Sequence, residues 1–339
     1  MYPFPSINQF RNVVSYVRHK ASFMGLDEAG EPMYNPAPKY PKLSFTGTVK
    51  LHGTNAAIVY SPNGTYYQSR QRVLTPEQDN AGFMAHMEQH KNTVIALGYY
   101  LGLVNNIDDL NHTIVVYGEW CGGNIQKGVA ICNLPKMFVI FGITVDGEWT
   151  KLPQHINNSV DSIYSINHFK EFHIDIDFEH PEAAQVLLQK YTEEVEACCP
   201  VAKGFEVEGI GEGIVWRCAT DPSPEYWFKV KGEKHSASKV KTLAAVDVET
   251  VNQINEFVEM VVTESRLKQG LHNLVHEQLK PFAMTSMGDF IRWVHQDVLK
   301  EEADTIQASG IEYKKLGGQI TLVAKCWFVE KLNENVMTK

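Results

Sequence analysis

The chain of 339 residues is 44% hydrophobic and 11% aromatic, enough to bury the core of one large domain plus a smaller one, which excludes a disordered tail and a disulfide-stapled miniature. Its 31 basic and 40 acidic residues leave a net charge of -9, which argues against the broad positive surface of a nonspecific nucleic-acid binder. No apolar run approaches the ~20 residues that span a bilayer, Met1-Tyr2-Pro3-Phe4-Pro5 lacks a signal-peptide layout, and six cysteines without a C-x-x-C pair fit reduced thiols, so the expectation is a cytoplasmic protein (host cytoplasm, if viral) with no membrane partner.

Apolar residues at Ile7, Phe10, Val13, Val14 and Val17, behind Pro5-Ser6, predict a capped amphipathic helix over 7–17. Residues 26–42, rich in Gly and Pro, predict a loop. From Leu43 to about Lys241 short apolar or alternating runs are divided by the turn pairs Asn63-Gly64 and Asp146-Gly147. That is the texture of a strand-rich domain with inserted helices such as Glu77 to Leu103. After Val246 helical periodicity dominates, as in Ile254, Phe257, Val258, Val261 and Val262. The expected fold class is therefore α+β, with antiparallel sheets in a domain over 1–242 and an all-helical domain over 243–339, the boundary lying near 240–246.

Six blocks could carry chemistry. Thr48-Val49-Lys50-Leu51-His52-Gly53-Thr54-Asn55 lies between two predicted strands, and Ser69-Arg70-Gln71-Arg72 follows a hairpin. Val115 to Trp120 is an apolar strand that delivers Glu119 to its end, and close behind it Met137 to Ile143 offers one aromatic that could stack on a base. Gly211-Glu212-Gly213-Ile214-Val215-Trp216-Arg217 and Trp227-Phe228-Lys229-Val230-Lys231 complete the set. Singly, each has a plain reading: a solvated loop lysine, strand-end charges, a core phenylalanine. Lys229 and Lys231, however, fall on one face of a strand about 7 Å apart, and two ammonium groups so placed repel unless something anionic covers them. Lys234, Lys239 and Lys241 extend this into a local basic patch inside an acidic protein.

Taken in order, the blocks resemble the covalent nucleotidyltransferase superfamily, most closely the phage-type RNA ligases that seal nicks in double-stranded RNA, a group that includes the kinetoplastid RNA-editing ligases. Lys50-Leu51-His52-Gly53-Thr54-Asn55 is similar to that family's Lys-x-His-Gly-x-Asn motif, and His52 stands where DNA ligases and capping enzymes usually carry Asp. Ile125-Gln126-Lys127, Glu212 and Lys229-x-Lys231 follow in the family's order, whereas Val49 replaces a frequent acidic residue and the segment before Lys50 is longer than in compact phage members. The resemblance implies an adenylyltransferase domain and an ATP-dependent RNA ligase joining 3'-hydroxyl and 5'-phosphate ends through lysine-AMP and adenylylated-RNA intermediates. In it Lys50 is the nucleophile and Lys229 and Lys231 hold the α-phosphate. Glu119 and Arg70 take the ribose and nearby phosphate, Phe141 the adenine, and Asn55 a phosphate or ribose oxygen. His52 serves the RNA-dependent steps, and Glu212 a magnesium shell, directly or through water. ATP and Mg2+ (or Mn2+) are the implied cofactors, RNA the partner, the helical domain its grip, repair of cleaved RNA the purpose, and a monomer the oligomeric state.

Lysine's ordinary pKa of ~10.4 leaves far less than ~1% neutral at pH 7, so such a nucleophile needs cations nearby, here Lys229, Lys231 and bound magnesium. The alternatives are a DNA ligase or single-strand RNA ligase of the same superfamily, and a catalytically silent RNA-binding module. His86-x-Glu88-x-His90 lacks the His-Glu-x-x-His order of a zinc site and reads as a polar helix face. Gly209-Ile210-Gly211-Glu212-Gly213 lacks dinucleotide-loop spacing.

Overall fold

The computed structural model describes residues 1–100, 111–152, 157–158, 161–236, 254–309 and 311–337. The chain divides into two compact units, Met1–Gly232 and Glu233–Lys339. The expected boundary at 240–246, together with Lys239 and Lys241, lies outside the described residues.

In chain order the first unit runs β1 (Asn8–Gln9), α1 (Phe10–Ser22), β2 (Phe23–Leu26), β3 (Pro32–Tyr34), β4 (Lys42–Val49), β5 (Thr54–Ser61), β6 (Gly64–Ser69), α2 (Phe83–Gln89) and α3 (Lys91–Tyr100). It continues β7 (Ile114–Cys121), β8 (Met137–Val145), β9 (Glu148–Thr150), β10 (Asn157–Asn158), β11 (Ile163–Ser165), β12 (Glu171–Asp177), α4 (Glu182–Ala197), α5 (Pro200–Lys203), β13 (Gly213–Cys218) and β14 (Phe228–Lys231). These strands build a sheet of order β1-β14-β13-β4-β12 and a larger one of order β10-β11-β8-β7-β5-β6, with β9 on β8. The pairings are antiparallel except β1 with β14 and β11 with β8, so the α+β class read from the sequence is the class observed.

The larger sheet is buried on both faces, which is why β5 and β7 read as nearly unbroken apolar runs. Ala56, Ile58, Ile114, Val116 and Trp120 join one core with Phe83 and Met87 of α2. The alternate residues Ala57, Val59, Val115 and Tyr117 join a second with Phe4 and Trp227. In the smaller sheet, edge strand β12 turns Phe172, Ile174 and Ile176 inward and leaves His173 and Asp175 exposed, the alternation of a half-buried strand. Phe228 packs on Phe10 of α1 at 4.9 Å and on Phe45 of β4 at 5.5 Å, ring to ring. Each such ring, fully buried, contributes roughly 1.5–3 kcal/mol.

Three local expectations shift. Helix α1 starts at Phe10 because Asn8 and Gln9 pair with β14, and Gln9 with Asn12 forms the capping box; the predicted buried face of Phe10, Val13, Val14 and Val17 is present. Within the predicted 26–42 loop, Pro32–Tyr34 pairs back on Phe23–Leu26 as a small hairpin. The predicted helix 77–103 starts only at Phe83 and is two helices broken at His90, its last residues, 101–103, lying outside those described.

The second unit contains α6 (Ile254–Val261), α7 (Glu264–His272), α8 (Met287–Glu301), α9 (Ala303–Ser309) and α10 (Tyr313–Met337) around Phe257, Val261, Leu274, Phe290, Val294 and Phe328. Thr263 caps α7, its Oγ1 accepting from the Arg266 N–H at 3.4 Å. Arg266 is wholly buried; Nε donates to Asp297 at 2.8 Å, Nη2 to the equally buried Glu302 at 3.2 Å, and Nη1 to the Val261 carbonyl. Removing one partner of such a network strands a buried charge, so Arg266→Ala should destabilise the helical unit by about 3–5 kcal/mol. The check is hydrogen exchange of the α8 amides in the full chain across a urea series; a midpoint equal to wild type would show that the network adds no net stability.

Candidate active site

Lys50 follows the last residue of β4, and its N–H donates to the Gly213 carbonyl at 2.8 Å, extending the β4–β13 ladder one step beyond Val49. Residues 51–53 then cross to the larger sheet, where β5 begins at Thr54. Gly53 is required at that crossing, since a Cβ there would lie 2.3 Å from the Trp120 carbonyl oxygen. Its N–H donates to Glu119 Oε1 at 2.9 Å and its carbonyl accepts from Gln126 Nε2 at 2.6 Å. Thr54 Oγ1 donates to Asn80 Oδ1 at 3.1 Å, and Asn80 Nδ2 to the Asn55 carbonyl at 3.1 Å. The loop that follows Lys50 is thus pinned by Glu119, Gln126 and Asn80, all distant in sequence.

Glu212 stands at the mouth of β13 with 2% of its surface exposed. Oε2 accepts from Lys50 Nζ at 2.7 Å and lies 3.0 Å from His52 Nδ1, while Oε1 lies 3.0 Å from Lys231 Nζ. The register supplies Lys231, which pairs with Gly213 across β13–β14; Gly213 sits at φ +150°, where a Cβ would meet the Val230 carbonyl oxygen at 2.2 Å. Burial pushes the Glu212 carboxyl upward, but the charges of Lys50 and Lys231 and the His52 contact outweigh it and hold the group well below the usual carboxylate range. For Lys231 burial lowers the pKa, Glu212 opposes that, and Lys50 and Lys229 lower it further. The anion lying over Lys231, one of the predicted lysine pair, therefore comes from the chain itself.

Glu119 and Asn55 are register partners across β7–β5 and share the sheet face that carries Tyr117 and Val59. The Asn55 Oδ1 atom is buried without a hydrogen-bond partner. Burial raises the Glu119 carboxyl, the Lys50 charge lowers it, Glu212 raises it, and Gly53 and Arg70 lower it again, with the result at about 7. Phe141, on the neighbouring β8, packs its ring on Phe4 at 4.9 Å. Arg70 is exposed and donates from Nη2 to Ser6 Oγ at 3.2 Å. Lys50, His52, Glu212 and Lys231 are thus in direct contact, Glu119 reaches them through Gly53, and Asn55 and Phe141 lie on the same sheet face as Glu119.

One residue of this neighbourhood went unassigned in the sequence. Arg217 lies on the β13 face of Val215 and Gly213, places its guanidinium carbon 4.7 Å from the centre of the Trp227 ring and 5.8 Å from that of Phe141, and donates from Nη1 to the Phe141 carbonyl at 2.5 Å. Its Nε is buried without a hydrogen-bond partner, and burial lowers its pKa to about 10. Period-two counting from Gly213 would have marked it. Among the described residues no three His, Cys, Asp or Glu side chains group as a metal cage. Glu119 and Glu212, two carboxylates that sense each other's charge, fit magnesium that keeps most of its waters and takes its remaining ligands from phosphate. His86 and His90 instead meet Asp161, His90 Nδ1 at 2.7 Å from its carboxylate and His86 Nε2 at 2.9 Å from its carbonyl.

Glu119 gives a signed pH prediction. Its folded pKa lies above the unfolded 4.5, so the folded state binds the proton more tightly; that contribution is complete below 4.5 and is lost as pH rises through about 7. The melting temperature of Glu119→Gln relative to wild type should therefore climb between pH 5 and 8. A difference that stays flat over that range would contradict the assignment.

No curated protein matches the chain. Its structure is similar to that of a Naegleria gruberi RNA ligase mutant with ATP and Mn, at 13% identity and a TM-score of 0.42, covering 69% of this chain and 57% of that one. The same ligase with pyrophosphate gives 15% identity, a TM-score of 0.42, and coverage of 69% and 58%. The chain therefore spans less than two thirds of the length of these solved relatives. Among family descriptions, RNA ligase matches residues 43–231, from the second residue of β4 to the Lys231 that closes the Glu212 cluster, and the chain belongs to the RNA ligase family.

Proposed function

We propose that this protein is an ATP-dependent RNA ligase, acting at nicks in duplex RNA through a Lys50-AMP intermediate. The observation that carries the reading is the Lys50–Glu212–Lys231 cluster: an amine on a glycine-braced loop, 2.7 Å from a buried carboxylate that also holds a second lysine. In the first step the Lys50 amine, having lost a proton, forms a bond to the α-phosphorus of ATP as the bond to pyrophosphate breaks. AMP then passes to the 5'-phosphate of RNA, releasing Lys50. Last, a 3'-hydroxyl attacks that phosphate, forms the phosphodiester and expels AMP.

Such displacements depend on positioning and charge neutralisation. Lys229 and Lys231 would face the phosphates and offset their negative charge. The unsatisfied Asn55 Oδ1 suits a ribose hydroxyl, since a buried acceptor left unpaired costs about 1–3 kcal/mol. Glu119 and Arg70 lie on the ribose side, and Phe141, with Arg217 beside it, suits the adenine. His52, 3.0 Å from Glu212, would serve the RNA-dependent steps. A divalent cation held by Glu212 and Glu119 through water would neutralise phosphate oxygens when bound. The helical unit would contact the duplex, where shape and 2'-hydroxyls distinguish A-form RNA.

Nicked duplexes of RNA, DNA and hybrid composition, with matched single strands, test the substrate. Sealing of nicked RNA at least tenfold faster than nicked DNA, abolished by chelator, is expected. Equal rates on DNA would replace the RNA reading with a DNA ligase, and faster joining of free strands would replace the duplex one.

A further inference from the structure

The first nine residues cross both sheets. At one end Tyr2 makes two hydrogen bonds with the buried Gln68 of edge strand β6: its N–H donates to Oε1 at 3.0 Å and its carbonyl accepts from Nε2 at 2.6 Å. At the other end Asn8 and Gln9 pair in parallel with Phe228 and Lys229 of β14, and Asn8 Nδ2 donates to the Pro224 carbonyl at 3.4 Å. Between these anchors Phe4 is 7% exposed, ringed by Tyr117 at 5.4 Å, Phe141 at 4.9 Å, Trp149 at 5.7 Å and Trp227 at 5.7 Å. Prolines 3 and 5 flank it, fixing φ and removing backbone donors on either side. Ser6 then meets Arg70, whose charge in turn lowers the Glu119 carboxyl.

This segment touches three of the residues assigned above to the nucleotide: Arg70 through Ser6, Phe141 through Phe4, and Lys229 through the register of Gln9. We infer that residues 1–9 form a strap that positions the nucleotide-binding side chains, with Ser6 as the positioning residue for Arg70 and Phe4 as the backing of Phe141. The inference rests on the ATP reading of the site. An exposed arginine has many rotamers, and holding one in place removes an entropic cost otherwise met when ligand binds. A serine hydroxyl does this without supplying charge. The strap therefore acts on nucleotide affinity, not on the chemistry at phosphorus.

The experiment is covalent nucleotidylation of the full chain against ATP concentration, in wild type, Ser6→Ala, Ser6→Thr and Phe4→Leu, with melting temperatures alongside. Ser6→Ala should raise the KM for ATP about three- to tenfold, with kcat within about twofold and an unchanged melting temperature. Ser6→Thr, which keeps the hydroxyl, should restore the KM. Phe4→Leu should raise the KM as well, and also lower the melting temperature because it removes packing. Protection of the Asn8 and Gln9 amides from hydrogen exchange should increase when ATP and magnesium are added to wild type and less so in Ser6→Ala. A Ser6→Ala KM within twofold of wild type, or a fall in kcat alone, overturns the strap while leaving the site reading intact. A wild type that takes no label overturns the site reading and the strap with it.

Discussion

A single carboxylate organises this site. Glu212 is almost fully buried, a costly place for a charge, and it stays ionised because Lys50, His52 and Lys231 lie within 3.0 Å of its two oxygens. Each of these partners arrives from a different piece of chain: the end of β4, the loop after it, and the end of β14. Break the register of any of these strands by one residue and side chains change faces, so the cluster disperses. The geometry of the smaller sheet is therefore inseparable from the electrostatics of the end that carries Glu212.

The glycines show how tightly that register is drawn. Gly47 lies against the Trp216 ring, 2.8 Å from where its Cβ would stand, Gly53 lies against the Trp120 carbonyl, and Gly213 against the Val230 carbonyl. At each point backbone approaches a ring or another backbone more closely than a side chain allows. The same closeness brings Glu119 to the Gly53 N–H, so the larger sheet is tied to the loop that carries Lys50. Among the described residues one unsatisfied acceptor, Asn55 Oδ1, and two unsatisfied donors, Arg217 Nε and Trp227 Nε1, are buried around this face, where a site for a polar ligand would leave them.

Much of this was visible in the sequence for physical reasons. Period-two alternation exposed the strands, Asn63-Gly64 and Asp146-Gly147 marked two hairpins that the structure contains, and the block order around Lys50 pointed to the RNA ligase family to which the chain belongs. What stayed hidden depends on contacts between residues far apart. Nothing local says that Glu212 would cover Lys231, that Ser6 would meet Arg70, or that Arg217 would lie over Phe141 and Trp227. The Pro32–Tyr34 strand escaped because Gly- and Pro-rich sequence reads as loop even where a short hairpin closes. The start of α1 was misplaced because Asn8 and Gln9 are claimed by β14, a tertiary pairing that overrides the helical pattern.

The most direct test is transfer of label from ATP carrying a radioactive α-phosphate, with magnesium, followed by denaturing electrophoresis and peptide mapping of wild type beside Lys50→Ala. A covalent, acid-labile label confined to the wild-type peptide containing Lys50 is the predicted result. Equal labelling of Lys50→Ala, or label mapped to another lysine, would contradict the account at its centre.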